Sequence, residues 1–380
     1  MKEKTEIEKE SNMRIVHHST MIEHGSGMMR QVRDLVAAEC RRGLDSGVIC
    51  TQESNKTGIG ADGKPLAAYG LELKPWKWAY ELDEKDTVHV IHSHPPVNLT
   101  NLKNSVTVLH GTPEHVVFRQ LWTKTNARQI PHTTSVNLIN SSDMAVTLIP
   151  RHKQYWDAFA HRDQVVAVDG GVDLEEFKPD WMLTDEERAA YKAKNVMPVF
   201  PFSAKPSIFI CESYYEIKVP TVVLLAIKQV VKTLPMARLS IINLKGVEGF
   251  WLDFVRKSYI DQLCDLWQPN KVMNLETYYR GATVYASPVL MGDVSRCAME
   301  ALGCGTPVVG VKAKENYLGN WSADHNPDDF ADKIIDIHAE MESDELKTRQ
   351  KARRIAEQNY DIDRTVYQME ERVYNKLVGA

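Results

Sequence analysis

None of the six cysteines, Cys40, Cys50, Cys211, Cys264, Cys297 and Cys304, stands in a C-x-x-C pair. That spacing suggests neither a disulfide framework nor a structural zinc site, and fits a reducing compartment. No stretch reaches the about 18 apolar residues that a membrane-spanning helix needs. Residues 1–12 are rich in Lys and Glu and lack an apolar segment, so they are expected to be a solvated tail rather than a secretion signal, and the protein is expected to be cytoplasmic. Charge of neither sign dominates: 46 Lys and Arg against 51 Asp and Glu leave −5, which argues against a broad grip on nucleic-acid phosphates. Short repeats and low-complexity segments are absent as well. The thirteen histidines show no metal-ligand spacing. His17, His18, His89, His92 and His94 follow strand alternation and are expected to be half-buried strand residues, with no metal bound.

What is present is a soluble globular composition, 43% hydrophobic and 26% charged, in a chain too long for one ordinary core. Strand-like runs at 13–18, 48–50, 88–91, 106–109, 135–139, 145–148 and 164–168 alternate with helical patterns at 28–41 and 151–159. This is the rhythm of a parallel sheet with covering helices. Between Asp169 and Pro206 the rhythm stops at Gly170-Gly171, several prolines and a short charged helix around Asp185–Arg188. It resumes with strands at 207–211, 237–242, 283–286 and 307–311. Helices are predicted at 219–233, 250–266, 293–303 and, broken near Tyr360-Asp361, 344–378. The expected fold is α/β, two Rossmann-like parallel-sheet domains facing a cleft. The first spans 13–170, a linker 171–206, the second 207–360, and a last helix at 361–380 is expected to cross back to the first domain.

Open parallel sheets bind ligands beyond the carboxyl ends of their strands, where helix N-termini present unpaired N–H groups that suit an anion. Gly25-Ser26-Gly27 opens the first such helix and permits close backbone approach. It lacks the third glycine of a dinucleotide fingerprint, so a Rossmann dehydrogenase is a poor fit.

The most specific stretch is Tyr285-Ala-Ser-Pro-Val-Leu-Met-Gly-Asp-Val-Ser-Arg-Cys-Ala-Met-Glu-Ala-Leu-Gly-Cys-Gly-Thr-Pro-Val-Val309. It resembles the donor-binding signature of glycosyltransferase family 4, which has the GT-B fold, through Glu300-Ala-Leu-Gly-Cys-Gly-Thr-Pro-Val-Val. The resemblance implies a retaining glycosyltransferase that needs neither cofactor nor metal and uses a nucleotide-diphosphate sugar as donor. It implies that Glu300 accepts the ribose hydroxyls, that Asp293, Val294, Ser295 and Arg296 line the donor, and that Gly27 lies against it. Val108-Leu-His-Gly-Thr-Pro113 resembles the family's strand ending in a histidine, so His110 would touch the donor sugar. His92-Ser-His94 resembles the preceding strand's histidine pair and reads as architectural. Gly170-Gly-Val-Asp-Leu-Glu-Glu-Phe177 resembles the linker.

Two departures stand out. The family's arginine and lysine after the first strand of the second domain correspond here to Glu212 and Lys218, so Lys218 keeps its half of the diphosphate contact and Arg296 is the substitute for the other. The family's acid eight residues before Glu300 is Gly292, with Asp293 one place off. A nucleotide-sugar-binding protein that lost catalysis, and an epimerase or phosphorylase on the same fold, are the rival readings. The acceptor is open among glycan, lipid, small molecule and protein. DNA stays open too, because Leu73-Lys-Pro-Trp-Lys-Trp-Ala-Tyr80 sets aromatic and basic residues together.

Overall fold

Strand propensity and two-sided burial explain the architecture of the computed structural model, which describes residues 13–19, 27–50, 85–92, 102–110, 139–158, 160, 164–193, 205–212, 221–243, 264–267, 275–287, 289, 294–313 and 317–379. In the first half, β1 (Arg14–Ser19), β2 (Asp45–Cys50), β3 (Thr87–His92), β4 (Ser105–Leu109), β5 (Met144–Thr147) and β6 (Val165–Ala167) form one sheet in the order β2-β1-β3-β4-β5-β6. Every pairing in it is parallel. β3 and β4 are buried along their whole length, as parallel strands covered on both faces must be. Helix α1 (Gly27–Arg41) covers one face, and a short α2 (Lys153–Trp156) follows β5.

The second sheet contains β7 (Ser207–Glu212), β8 (Arg238–Asn243), β9 (Cys264–Trp267), β10 (Val284–Ala286), β11 (Val308–Val311) and β12 (Ser322–Ala323), ordered β12-β11-β10-β7-β8-β9 and again parallel. Both sheets are doubly wound. Their order reverses between β1 and β3 in the first and between β7 and β10 in the second, the places where such sheets open a ligand crevice. Among the described residues, α3 (Asp185–Ala193) lies in the linker, and α4 (Thr221–Thr233), α5 (Leu275–Gly281), α6 (Arg296–Gly303) and α7 (Pro327–Asn359) belong to the second half. The core of this half runs through Ile208, Phe209, Val223, Ile227, Tyr285, Leu302 and Ile334. Among the described residues no helix is long and apolar enough to cross a membrane.

The chain passes between the two halves twice, and the crossings touch. Val172 N–H donates to the Tyr360 carbonyl at 2.9 Å and Ile362 N–H to the Val172 carbonyl at 3.1 Å. A Cβ on Gly171 would lie 2.6 Å from the Asp361 backbone, so only glycine lets the strands come this close. Beyond that point α8 (Ile362–Met369), a π turn (Glu370–Tyr374) and α9 (Asn375–Val378) return to the first sheet. Ile362, Val366, Met369 and Tyr374 join Ile15, Leu35, Val88 and Val106 in its core.

Five local expectations change. Ile139, expected to end a strand, lies in a helical stretch, and its carbonyl accepts from the Gln164 side chain. Cys264–Leu266, expected to end a helix, belong to β9, which pairs with β8, and the rest of that expected helix lies outside the described residues. The helix expected from Asp293 starts at Arg296, because the Ser295 hydroxyl accepts the Ala298 N–H at 3.1 Å and so caps it. The helix expected at 151–159 shrinks to a 3-10 turn (Pro150–His152) and α2, which ends at Trp156. His17, His18, His89 and His92 are not half-buried: each is at most 1% exposed, in parallel strands that are buried on both faces. The long helix predicted from Asp344 does start there, inside α7, where Asp344 breaks helical geometry and its carboxylate accepts the Lys347 N–H.

Candidate functional site

The two halves meet where α1 lies against α6. Glu300 sits one turn beyond Arg296 on α6 and has no exposed surface. Its Oε2 accepts from Arg30 Nη1 at 2.6 Å and from the Tyr279 hydroxyl at 3.0 Å, and its Oε1 accepts from Arg296 Nε at 3.0 Å. Tyr279 comes from α5, backed by Phe209 and Tyr285. Burial, with Cys297 and Glu300 nearby, pushes its hydroxyl well above the ordinary range, so it stays a donor. A carboxylate with three donors, two of them cationic, is well compensated for leaving water.

Both Glu300 oxygens, expected to accept the ribose hydroxyls, are filled by protein donors in this arrangement, so a ribose would have to displace one of them. Arg296, expected to substitute for the missing arginine at the diphosphate, is engaged by protein groups too. It donates through Nε to Glu300, through Nη1 to Gln31 Oε1 at 2.8 Å, and through Nη2 to Asp34. Asp34 is fully enclosed, yet Arg296 and Arg33 outweigh that burial and hold its carboxyl below the usual range.

Arg30 is the residue that sequence reasoning missed. Its guanidinium is buried, and Glu300 outweighs that burial to hold its charge more firmly than usual. Its Nε and the neighbouring Gln31 Nε2 are buried without a hydrogen-bond partner, two unused donors at the junction of the halves. A signal was available: Arg30 stands in the first turn of a helix, where the helix dipole disfavours a cation, directly after a glycine loop. Glu176 of the linker accepts from Arg33 at 2.5 Å. Burial pushes the Glu176 carboxyl up to about 7, Arg33 opposes this, and Asp34, Glu276 and Glu300 add to it. Arg353 ties the linker to α6 by donating to the Phe177 and Gly303 carbonyls, both at 2.9 Å.

Of the other expected residues, Val294 and Ser295 lie buried at the start of α6. His110 follows the carboxyl end of β4, partly exposed, with its Nε2 at 3.4 Å from His92 Nδ1. Gly27 begins α1, the helix that faces α6. Asp293, Gly292, Lys218 and the segment Leu73–Tyr80 lie outside the described residues, as does the Glu212 side chain.

Two doubly wound parallel domains, joined by two touching crossings and meeting at the helix that carries Glu300, define the GT-B architecture. No protein-family model matches the chain. A D-inositol 3-phosphate glycosyltransferase of Saccharomonospora viridis is 28% identical over 191 residues, 46% of this chain. The match covers only 42% of that protein. Among solved structures, a glycosyltransferase from Rickettsia africae has a TM-score of 0.66 at 14% identity, covering 97% of this chain and 99% of that one. Sucrose-phosphate synthase from Thermosynechococcus elongatus has a TM-score of 0.63 at 14% identity, over 97% of this chain and 100% of that one. Anabaena HepE, solved in complex with UDP and glucose, has a TM-score of 0.62 at 13% identity, over 95% and 99%. At these identities the likeness is one of fold, and it extends over both domains.

Proposed function

We propose that the chain is a glycosyltransferase that moves a hexose from a nucleotide-diphosphate sugar to an acceptor, with retention of anomeric configuration and without a bound metal. The observation that carries this reading is the placement of Glu300. It stands on a capped helix at the meeting of two GT-B domains, within a ten-residue match to the family 4 donor signature. The full-length likeness in fold to sugar-transferring enzymes supports it, as do the unused donors of Arg30 and Gln31 at the same junction.

In this mechanism the halves part at the Gly171 and Asp361 crossings, the donor enters, and the ribose hydroxyls exchange with Arg30 for the Glu300 oxygens. Lys218, the start of α6 and the released Arg30 stabilise negative charge on the leaving diphosphate as the glycosidic bond lengthens. Arg30 thus fills from the first domain the place left by Glu212. His110 orients the sugar, and reclosure excludes water.

The same cover over Glu300 favours one other reading, a nucleotide-sugar-binding protein without turnover. Calorimetric titration with UDP and GDP sugars, followed by mass spectrometry of donor incubated with glycan, lipid, protein and DNA acceptors in EDTA, separates the two. Transfer with retained configuration is expected, reduced strongly in Lys218→Ala and in Glu300→Gln. Binding without turnover selects the other reading, and wild-type turnover in both variants removes the assignment of the site.

A further inference from the structure

Three histidines cross the first sheet in a diagonal line at the point where its strand order reverses. His17 on β1 stands opposite Val90, two residues short of His92, and His92 on β3 stands opposite Val108, two residues short of His110. Steps of two keep all three rings on one face and carry each ring closer to the carboxyl edge. The rings His17 and His92 stack with centroids 5.1 Å apart, and His92 and His110 lie at 5.6 Å. His17 Nδ1 is 2.8 Å from His92 Nε2, and the last link, from His92 Nδ1 to His110 Nε2, is 3.4 Å.

The inner end of the line is a buried carboxylate. Glu39 of α1 has no exposed surface, and its Oε2 accepts from His17 Nε2 at 2.8 Å and from the Ser46 hydroxyl at 2.5 Å. Its Oε1 accepts from the Tyr374 hydroxyl at 2.7 Å. Tyr374 closes the π turn of the returning C-terminal segment, the kind of helix defect that recurs at functional sites. The surrounding face is apolar, built from Ile15, Val88, Val90, Val106 and Val108. A polar line through such a face is costly unless every member is hydrogen-bonded.

With His17 in its neutral form, the anchoring acceptor sets the donor at each link. His17 must present Nε2–H to Glu39, which leaves Nδ1 as an acceptor for His92 Nε2–H. His92 Nδ1 then accepts from His110 Nε2–H. We propose that Glu39, His17 and His92 are positioning residues that hold His110 as its Nε2–H tautomer, making Nδ1 the ring's acceptor for a hydroxyl hydrogen of the donor sugar. The sugar contact rests on the glycosyltransferase reading, whereas the relay rests on geometry alone. Burial, with His17, His110 and His18 nearby, pushes the His92 imidazole well below its ordinary range, so it is neutral with one donor and one acceptor, as the relay requires.

The test is nitrogen NMR of the full chain labelled with 15N-imidazole histidine, with His110→Gln assigning the resonance. Wild type is expected to show His110 protonated at Nε2. In His17→Phe and Glu39→Leu, which remove the acceptor, the resonance is expected to shift to a mixture of tautomers. Glu39→Gln, which keeps an oxygen facing His17, is expected to retain the wild-type pattern, a rescue that a packing role would not give. With UDP-glucose as probe, kcat is expected to fall roughly 10- to 100-fold in His17→Phe with KM unchanged, the scale on which a supporting carboxylate tunes an imidazole. A wild-type His110 protonated at Nδ1, or an unshifted tautomer in both disrupting variants, overturns the relay whatever the turnover. No turnover in wild type with His110 protonated at Nε2 overturns the sugar contact and leaves the relay standing.

Discussion

Replacing Glu300 by alanine tests whether the junction of the halves is an ion cluster as well as a binding site. The substitution removes the anion from two guanidinium groups whose side chains are only 12% and 11% exposed, and from a fully buried tyrosine hydroxyl. Arg296 keeps Asp34 and Gln31, but Arg30 is left with a single weak contact, Cys297 Sγ at 3.6 Å. Stranding one partner of a buried pair costs about 3–5 kcal/mol. At about 2–4 °C per kcal/mol for domains of this size, the melting transition should drop by at least about 6 °C. The assay is scanning calorimetry on wild type, Glu300→Ala, Arg30→Met and the double variant. The double variant carries no stranded guanidinium at position 30, so it should melt above Glu300→Ala, with a coupling of about 1–3 kcal/mol. Strict additivity, or a Glu300→Ala transition no lower than wild type, refutes the reasoning. The same cycle separates lost binding from lost folding in any activity measurement on Glu300.

Gly305 follows α6 with φ of +77°, in a Schellman cap where Thr306 N–H reaches the Ala301 carbonyl and Gly305 N–H the Leu302 carbonyl, both at 2.9 Å. Gly305→Ala should lower stability by about 1–2 kcal/mol for the left-handed backbone, and further because its Cβ would lie 2.7 Å from the Trp181 ring; a urea midpoint equal to wild type would contradict this. His18 and His92 are neutral in the fold, their imidazoles pushed well below the ordinary 6.5 first by burial and then by neighbouring histidines. The unfolded chain takes up protons on both rings near that value, so the stability they allow is present above about 6.5 and is lost as pH falls below it. In NMR their ring resonances should not move between about pH 8 and pH 6, and a midpoint near the free-histidine value would refute the assignment.

Legibility followed the range of the interactions. The period-two and helical patterns are local, so the two parallel sheets could be read from β-branched runs such as Ser207–Cys211 and Val106–Leu109. Breaks signalled by Gly170-Gly171 and Tyr360-Asp361 were legible because backbone chemistry marks them. Less local events escaped. Ile139 went to a helical turn, whose carbonyl the Gln164 side chain takes, and Cys264 went to a strand because β8 offered a free edge. His92, read as architectural, turned out to link His17 to His110, which requires the register of three strands at once.

The amino-acid order by itself determined the α/β alternation, the glycine crossings and the helix that carries Glu300, because each depends on residues within a few turns of one another. Only the tertiary structure decided that Arg30, 270 positions away, covers Glu300, and that Tyr374 reaches Glu39 across 335. Such pairings follow from how the second domain and the returning helix dock on α1. The docking surface is made by packing, which no local pattern encodes.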